Sequence, residues 1–508
     1  MKREYKLGLV LLLSIVVLTA CSVGSGDERG GEKEVNLLFN FATHSLDPNV
    51  DSSYVPLRAG VTETLVRLND EKLEIEPWLA ESWDSEDGKE WTIQLRDGVT
   101  FHNGKPMDGK AVKASLERAM NDNVAIKNAL RIESIEVDGN TLHIKTKGYF
   151  PEFPSELVSP YTSIIDVTET DFVNRPIGTG PFAVTSFTPG SVVKLKRYDD
   201  YWDGPAKLKS AQFSFNEDAN ARSLALESGS ADIVFRPEVE SVPHLEELEG
   251  ITVESTSTFR VHQLTMNLQR KALQDVNVRK AVDALLDRQS IVDTILHGHA
   301  EVAEGPFMPS FSFAPDYSKK ERGPEAARTY LKKAGYTEKN GVMQKDGKPL
   351  RFTLLTYGSR ADLPLIAQVF QSDAKKLGIQ VEIRQIEIPE EYMAANRDWD
   401  LTTYSNLTAP RGDAGYYLNA TYHPDGALNF SGADDDKLTA LLDELNVTVD
   451  PKERALLSEE IAQYVDQKVL NSFVLYPHTL VAYNADKVKN WVTTRSEYYM
   501  LTNELDVN

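Results

Sequence analysis

Leu350 to Ile386, LRFTLLTYGSRADLPLIAQVFQSDAKKLGIQVEIRQI, decides the fold. Leu350 to Tyr357 is a strand pattern, Leu363 to Leu377 carries apolar residues at helical spacing and ends at Gly378, and Ile379 to Ile386 reads as a second strand. Strand, helix and strand in that order form a βαβ unit, and its crossover helix makes the two strands parallel.

Working outward, Asp275 precedes a helix with Val278, Ala281, Val282, Leu285 and Leu286 at core spacing, and Pro324 and Gly335 bracket another as start and stop. The first half of the chain is more mixed. Val35 to Phe41 is a short strand, broken by the turn signal His44-Ser45-Leu46-Asp47-Pro48. Trp91 to Leu95 alternates and meets Asp97-Gly98 and then Val99 to Phe101, which predicts a hairpin. Ile132 to Val137 and Leu142 to Lys147 predict another around Asp138-Gly139. Between them Asp108 caps a helix that carries Ala111, Val112, Ser115, Leu116 and Ala119 on one face. A change of composition at Ser255 to Leu268 separates the halves, and no internal repeat is present.

At the amino end, Lys2, Arg3 and Lys6 precede an apolar stretch from Leu7 to Ala20, the pattern of a secretory signal. The stretch is shorter than the roughly 17 apolar residues of a spanning helix. Leu18-Thr19-Ala20-Cys21 resembles the lipobox of bacterial lipoproteins, which implies a signal peptide over 1–20 and a lipidated Cys21 at the mature amino terminus. Ser22 to Lys33, rich in Gly, Ser and charge, reads as a flexible tether. Cys21 is the chain's single cysteine, so the body beyond it has no disulfide and depends on core burial.

A chain of 508 residues, 41% hydrophobic, can build two or more cores. Its 55 basic against 77 acidic residues give a formal charge of -22, which opposes nucleic acid and anionic lipid surfaces as partners.

Enzyme signatures fail. Gly178-Thr179-Gly180-Pro181-Phe182-Ala183 has the outline of a dinucleotide loop, but β-branched and aromatic residues follow it, so it runs into a strand where such a loop must open a helix. Walker loop, Gly-x-Ser-x-Gly elbow, His-Glu-x-x-His and cysteine cluster are all absent, and Glu390-Glu391 reads as a solvated helix face. His297-Gly298-His299 is the one close histidine pair. It is either a plain loop or half of a soft-cation site, and it has no third ligand near in sequence.

Several segments together resemble the large extracellular solute-binding proteins of the peptide and nickel class of ABC importers. They are Trp78-Leu79-Ala80-Glu81-Ser82-Trp83, the run Leu95 to Gly104, Ile177 to Phe182, Tyr201-Trp202, Arg222 to Asp232, and Asn277-Val278-Arg279-Lys280-Ala281 with Asp287-Arg288. The resemblance spans the mature chain. It implies a non-enzymatic two-lobed α/β protein of the periplasmic-binding-protein type, class II, with an extra hairpin-containing subdomain in lobe one. Lobe one would take 34–260 with its subdomain at about 65–185, lobe two 261–478, and 479–508 would return to lobe one. One hinge crossing falls near Ser255 to Leu268 and another near Tyr476 to Tyr483.

In the peptide branch an aspartate pairs with the peptide amino terminus. The matching position here is Pro410, which cannot hold an ammonium group. Thr408 to Asp413 is more similar to the nickel branch, and Asp398 to Leu418 and Ser496 to Thr502 resemble Gram-positive relatives that import opine-type metallophores. Val158 to Ser163 lacks the arginine of the enterobacterial nickel proteins. The solute implied is nickel or a similar transition metal held by a small metallophore, with an oligopeptide as the alternative. Arg411 would fork onto a ligand carboxylate or else form an ion pair within the protein, with Asp413 as partner. The resemblance adds Tyr404, Trp78, Tyr416, Asn419 and His44 as ligand contacts and His423 as a metal ligand. It implies no intrinsic cofactor, permease and ATPase subunits as partners, a monomeric receptor, and anchorage by lipid outside a Gram-positive-type cell.

Overall fold

Residues 33–448 and 450–508 are described by a computed structural model; the stretch read as a signal peptide, Cys21 and the expected tether through Glu32 lie outside the described residues. A twelve-stranded sheet runs through the described chain, and its two halves meet in one strand, Asn471–Asn484. The first residues of that strand pair with Arg260–Met266 and Ala300–Val302, and the last pair with Ile251–Ser257 and Ile233–Phe235. At about 3.3 Å per residue a strand of this length reaches across both halves.

On one side Arg260–Met266 continues into Leu401–Leu407, Arg351–Thr356 and Gln380–Gln385. The βαβ unit read from the sequence stands here. Arg351–Thr356 and Gln380–Gln385 pair in parallel, and helix Asp362–Lys376 buries Leu363, Ile366, Ala367, Phe370 and Ala374 in a core with Leu354 and Trp399. Gly378 ends the helix at φ +68, where a Cβ would meet the Gly341 carbonyl oxygen at 2.4 Å, so only glycine fits without a shift. On the other side Ile233–Phe235 leads to Glu34–Phe39, Ser210–Phe215, Val192–Arg197 and Phe182–Thr188, over a second core with Phe39, Phe182 and Phe213.

A separate antiparallel sheet orders Ala80–Asp84, Glu90–Leu95, Thr141–Thr146 and Ile132–Asp138. Helix Gly109–Asp122 packs on it, capped as expected by Asp108, whose carboxylate accepts from the Ala111 N–H at 2.9 Å. The hairpin around Asp138-Gly139 forms. The hairpin expected between Trp91 to Leu95 and Val99 to Phe101 does not. Both edges of Glu90–Leu95 are already occupied, by Ala80–Asp84 and Thr141–Thr146, so the chain after Asp97 leaves the sheet as a loop. The apolar core of this subdomain is continuous with side chains beneath helices Gly415–Tyr422 and Asp436–Val447.

The Gly178-Thr179-Gly180 loop does open a strand, as its sequence indicates. A Cβ on Gly178 would lie 2.1 Å from the Val61 carbonyl oxygen, so these glycines serve a close approach of two backbones.

Candidate functional site

Three residues other than glycine that adopt the left-handed backbone region converge between the two halves: Tyr54 at φ 54, Arg236 at φ 53 and Glu497 at φ 61. Such conformations cost about 1–3 kcal/mol each and persist where the surroundings demand them. Here Arg58 and a side-chain ion pair link the three. Arg236, immediately after strand Ile233–Phe235, donates from Nη2 to Glu497 Oε1 at 2.7 Å. Arg58 donates from Nε to the Glu497 carbonyl at 2.9 Å, and its Cζ lies 5.5 Å from the Tyr54 ring centroid.

The opposite half supplies Arg260, at the start of Arg260–Met266, and Arg360, in the loop after Arg351–Thr356. Burial pushes the Glu497 carboxyl up, but the guanidiniums of Arg236, Arg260, Arg360 and Arg58 outweigh it and hold the group well below the usual carboxylate range. Burial and then the charges of Arg260 and Arg236 push the Arg360 guanidinium down. Beside them His262 Nε2 donates to Asp362 Oδ2 at 2.7 Å. Four guanidiniums thus share two carboxylates, and the buried Nε atoms of Arg236 and Arg260 have no hydrogen-bond partner among the described residues. An excess of positive charge with unused planar donors is suited to ligand carboxylates.

Tyrosines line the approach. The Tyr54 ring meets Tyr161 edge-on at 5.2 Å and Tyr498 at 6.1 Å between centroids. At the outer end Arg411 stacks on Tyr416, 4.2 Å from its ring centroid, and forms an ion pair with Glu156 of the subdomain. The internal pair considered for Arg411 therefore exists, but Asp413 is not its partner. Asp413 accepts from the Gly415 N–H at 2.6 Å and pairs with Arg454 at 3.3 Å, and burial raises its carboxyl to about 6. Arg454 also pairs with Glu152 of the subdomain. Two ion pairs thus tie the subdomain to the chain segments that follow Leu401–Leu407.

Of the residues singled out in the sequence, Arg411, Tyr416, Asn419 and His423 line one cavity of about 450 Å³ at this outer end. Asn419 exchanges amide hydrogen bonds with Asn446, at 2.8 and 2.9 Å. His423 accepts the Asp425 N–H on Nδ1 at 3.2 Å, and its Nε2 lies 3.5 Å from Asp443 Oδ1, so both ring nitrogens have partners. Tyr404 is buried, donates to Glu390 at 2.7 Å and lies among the groups around Arg260. Trp78 packs elsewhere, under the Arg67 guanidinium at 3.8 Å and against Trp202 at 5.1 Å. His44 is exposed over the Gly190 turn. His299 and His478 share the Ser255 hydroxyl at 3.0 and 2.8 Å. Among the described residues no group of three or more His, Cys, Asp or Glu is placed to hold a metal ion.

Sequence reading missed Arg58, Arg236, Arg260 and Arg360. The one signal was an arginine next to a strand's apolar run, in Val234-Phe235-Arg236 and Phe259-Arg260-Val261.

Two lobes around a charged cleft, joined by crossing strands, define a solute receptor. The comparisons agree: residues 74–429 match the model of bacterial extracellular solute-binding proteins, family 5 Middle, and the chain belongs to this family. It is 34% identical over 499 residues to the nickel-binding protein NikA of Staphylococcus aureus, covering 98% of each chain. The crystal structure of a nickel ABC transporter protein from Bacillus halodurans has 68% sequence identity, covers 94% of this chain and 100% of that one, and superposes with a TM-score of 0.81. The S. aureus NikA structure in complex with Ni(L-His)2 superposes with a TM-score of 0.82 over the same shares. The protein is a substrate-binding component of an ABC importer, related to NikA-type proteins, extracytoplasmic and membrane-associated, and of a class that transports without catalysing.

Proposed function

We propose that the protein captures nickel, or a similar divalent transition metal, as a preformed complex with a small carboxylate-bearing chelator and presents it to the importer's permease. The observation that carries this reading is the surplus of buried guanidinium donors in the cleft, with unpartnered Nε atoms on Arg236 and Arg260. Carboxylates of the chelator would take these donors, and the metal would arrive with its own ligands. The nickel named for the relatives supports the choice of metal. Arg236, Arg260 and Arg360 form the inner anchor, with Tyr404 beside Arg260, and Tyr54 and Tyr416 pack on the chelate body. Arg411 and Asn419 close the outer end. His423 with both nitrogens engaged is a support there, and Trp78 and His44 fall outside the set.

Solute contacts to both lobes favour the closed arrangement of an open and closed equilibrium. The lobes divide at about residue 260, where Arg260 opens the first strand of lobe two, and 479–508 returns to lobe one. Lipidation of Cys21 would hold a monomeric receptor on the outer face of a Gram-positive-type membrane. Peptide capture is disfavoured by Pro410, which stands where an acid would meet the amino terminus. Calorimetry on the mature protein should give tight uptake of a preformed nickel chelate and little of bare nickel. Submicromolar binding of assorted di- to pentapeptides with no chelate response would overturn the reading.

A further inference from the structure

A cavity of about 290 Å³ opens in lobe one, between the turn of the hairpin formed by Val66–Asn69 with Glu74–Pro77 and the returning chain at 490–504. None of the residues placed in the cleft lines it. One backbone segment divides the two: Glu497 and Tyr498 turn to Arg236 and Tyr54, whereas Ser496 meets Asp70 and Tyr499 lines the cavity. We propose that this cavity is a socket for one lysine or arginine side chain of the importer's permease, with Asp70 holding the charged end. The socket requires that the protein serve an importer, whatever solute the cleft takes.

The lining carries surplus negative charge. Arg67 pairs with Glu76 and lies over Trp78 at 3.8 Å, and Glu504 pairs with Lys207. Asp70 and Glu71 line the cavity without an ion pair among the described residues. Arg495 acts on Asp70 through space, but its guanidinium lies against Phe259 at 5.0 Å and Phe311 at 5.6 Å and donates to the Ser257 carbonyl at 3.2 Å. Burial raises the Asp70 carboxyl, and the contacts from Ser496 and Arg495 offset this only in part. A cation entering the cavity would meet a carboxylate that lacks one.

A second observation is independent of the charges. Asp70 Oδ1 and the Tyr499 hydroxyl are buried without a hydrogen-bond partner among the described residues, and so is the hydroxyl of Ser496, a residue 3% exposed. The Ser496 N–H already donates to Asp70 Oδ2 at 3.2 Å, so Oδ1 is the free acceptor. A buried acceptor left empty costs free energy, which an ammonium or guanidinium donor would recover. The walls suit an aliphatic stem: Leu68 and Met500 line the cavity, and so does Val492, which is 67% exposed. A bare metal ion would gain nothing from such walls. One side chain at an open cavity binds weakly when free, but a receptor held on the permease's own membrane meets it at about millimolar effective concentration, which favours the permease over a free amine.

The test measures the affinity of the mature receptor for the purified permease and ATPase complex in lipid nanodiscs, with the parent, Asp70→Asn and Val492→Lys. Asp70→Asn removes the charge and keeps the shape, and Val492→Lys fills the socket with a side chain of the receptor itself. Each should weaken docking about tenfold or more, while nickel chelate uptake by the free receptor and its melting temperature stay at the parent values. Docking that Asp70→Asn leaves unchanged overturns the proposal; should that variant melt lower than the parent, Val492→Lys alone decides. Micromolar binding of free lysine amide to the isolated receptor, lost in Asp70→Asn, also overturns it, because the cavity is then a small-molecule site. If no chelate binds but the variants still dock poorly at an unchanged melting temperature, the nickel reading fails and the socket stands.

Discussion

Glu63 and Glu497 are both buried glutamates, yet their carboxyls move in opposite directions. Glu63 accepts from the hydroxyls of Thr179 and Tyr201, each at 2.7 Å, and from the Trp202 indole at 3.2 Å, all neutral donors. Burial outweighs them and raises it to about 7. Glu497 is equally buried but faces four guanidiniums, and it stays ionised far into acid. A neutral hydrogen bond returns about 1 kcal/mol, too little to offset the desolvation of a charge, whereas opposite charges at low dielectric can. The first glutamate therefore knits framework motifs together, and the second keeps a set of arginines assembled while leaving most of their donors free.

The variants that break this contrast rank by how much buried charge they strand. Arg236→Ala removes an inner anchor, and chelate affinity should fall by about 2–5 kcal/mol, a loss of thirtyfold or more. Calorimetry showing less than a threefold change would remove Arg236 from the site. Glu497→Gln leaves mutually repelling guanidiniums, so unfolding free energy at pH 7 should drop by about 3–5 kcal/mol and recover partly when the chelate is added. This carboxyl's depressed value contributes stability above its unfolded value of about 4.5, lost as pH falls below it. Denaturation curves of parent and variant should therefore converge in acid.

Glu63 runs the other way. Its folded value lies above the unfolded one, so the folded state keeps a proton that the unfolded chain has released, and stability falls as pH rises from about 4.5 to 7. The loss is about 3 kcal/mol, and Glu63→Gln should flatten the pH dependence of urea unfolding across that window. A profile that Glu63→Gln leaves unchanged would place the titration elsewhere. Glu156→Gln weakens the Arg411 tie between subdomain and lobe two, and scattering should show a modest shift toward the open form with chelate binding reduced less than by Arg236→Ala. His423→Ala should have the smallest effect, under about 1 kcal/mol on chelate binding, because its ring nitrogens are already engaged.

The elements that were legible are those whose signal is local. The βαβ unit, the Asp108 and Asp275 caps and the Asp138-Gly139 hairpin all depend on residues within about a turn or a strand of each other, and all formed. The Asp97-Gly98 hairpin carried an equally good local signal and failed, because strands from elsewhere in the chain occupied both edges of Glu90–Leu95. At the outer end of the cleft, Arg411, Tyr416, Asn419 and His423 were named from the family resemblance, and because they are near neighbours in sequence the fold brings them to one cavity.

The order of strands and helices, the likeness to extracytoplasmic receptors and the unsuitability of Pro410 for an ammonium group were determined by the sequence alone. Only the tertiary structure decided which arginines matter, that Glu156 and not Asp413 answers Arg411, and that Glu63 and Glu497 titrate apart. Arg58, Arg236, Arg260 and Arg360 come from four separate segments, and each looks ordinary in its own surroundings. Desolvation and Coulomb interactions act through space, so the charge of this cleft exists only once the long strand Asn471–Asn484 has joined the lobes that carry them.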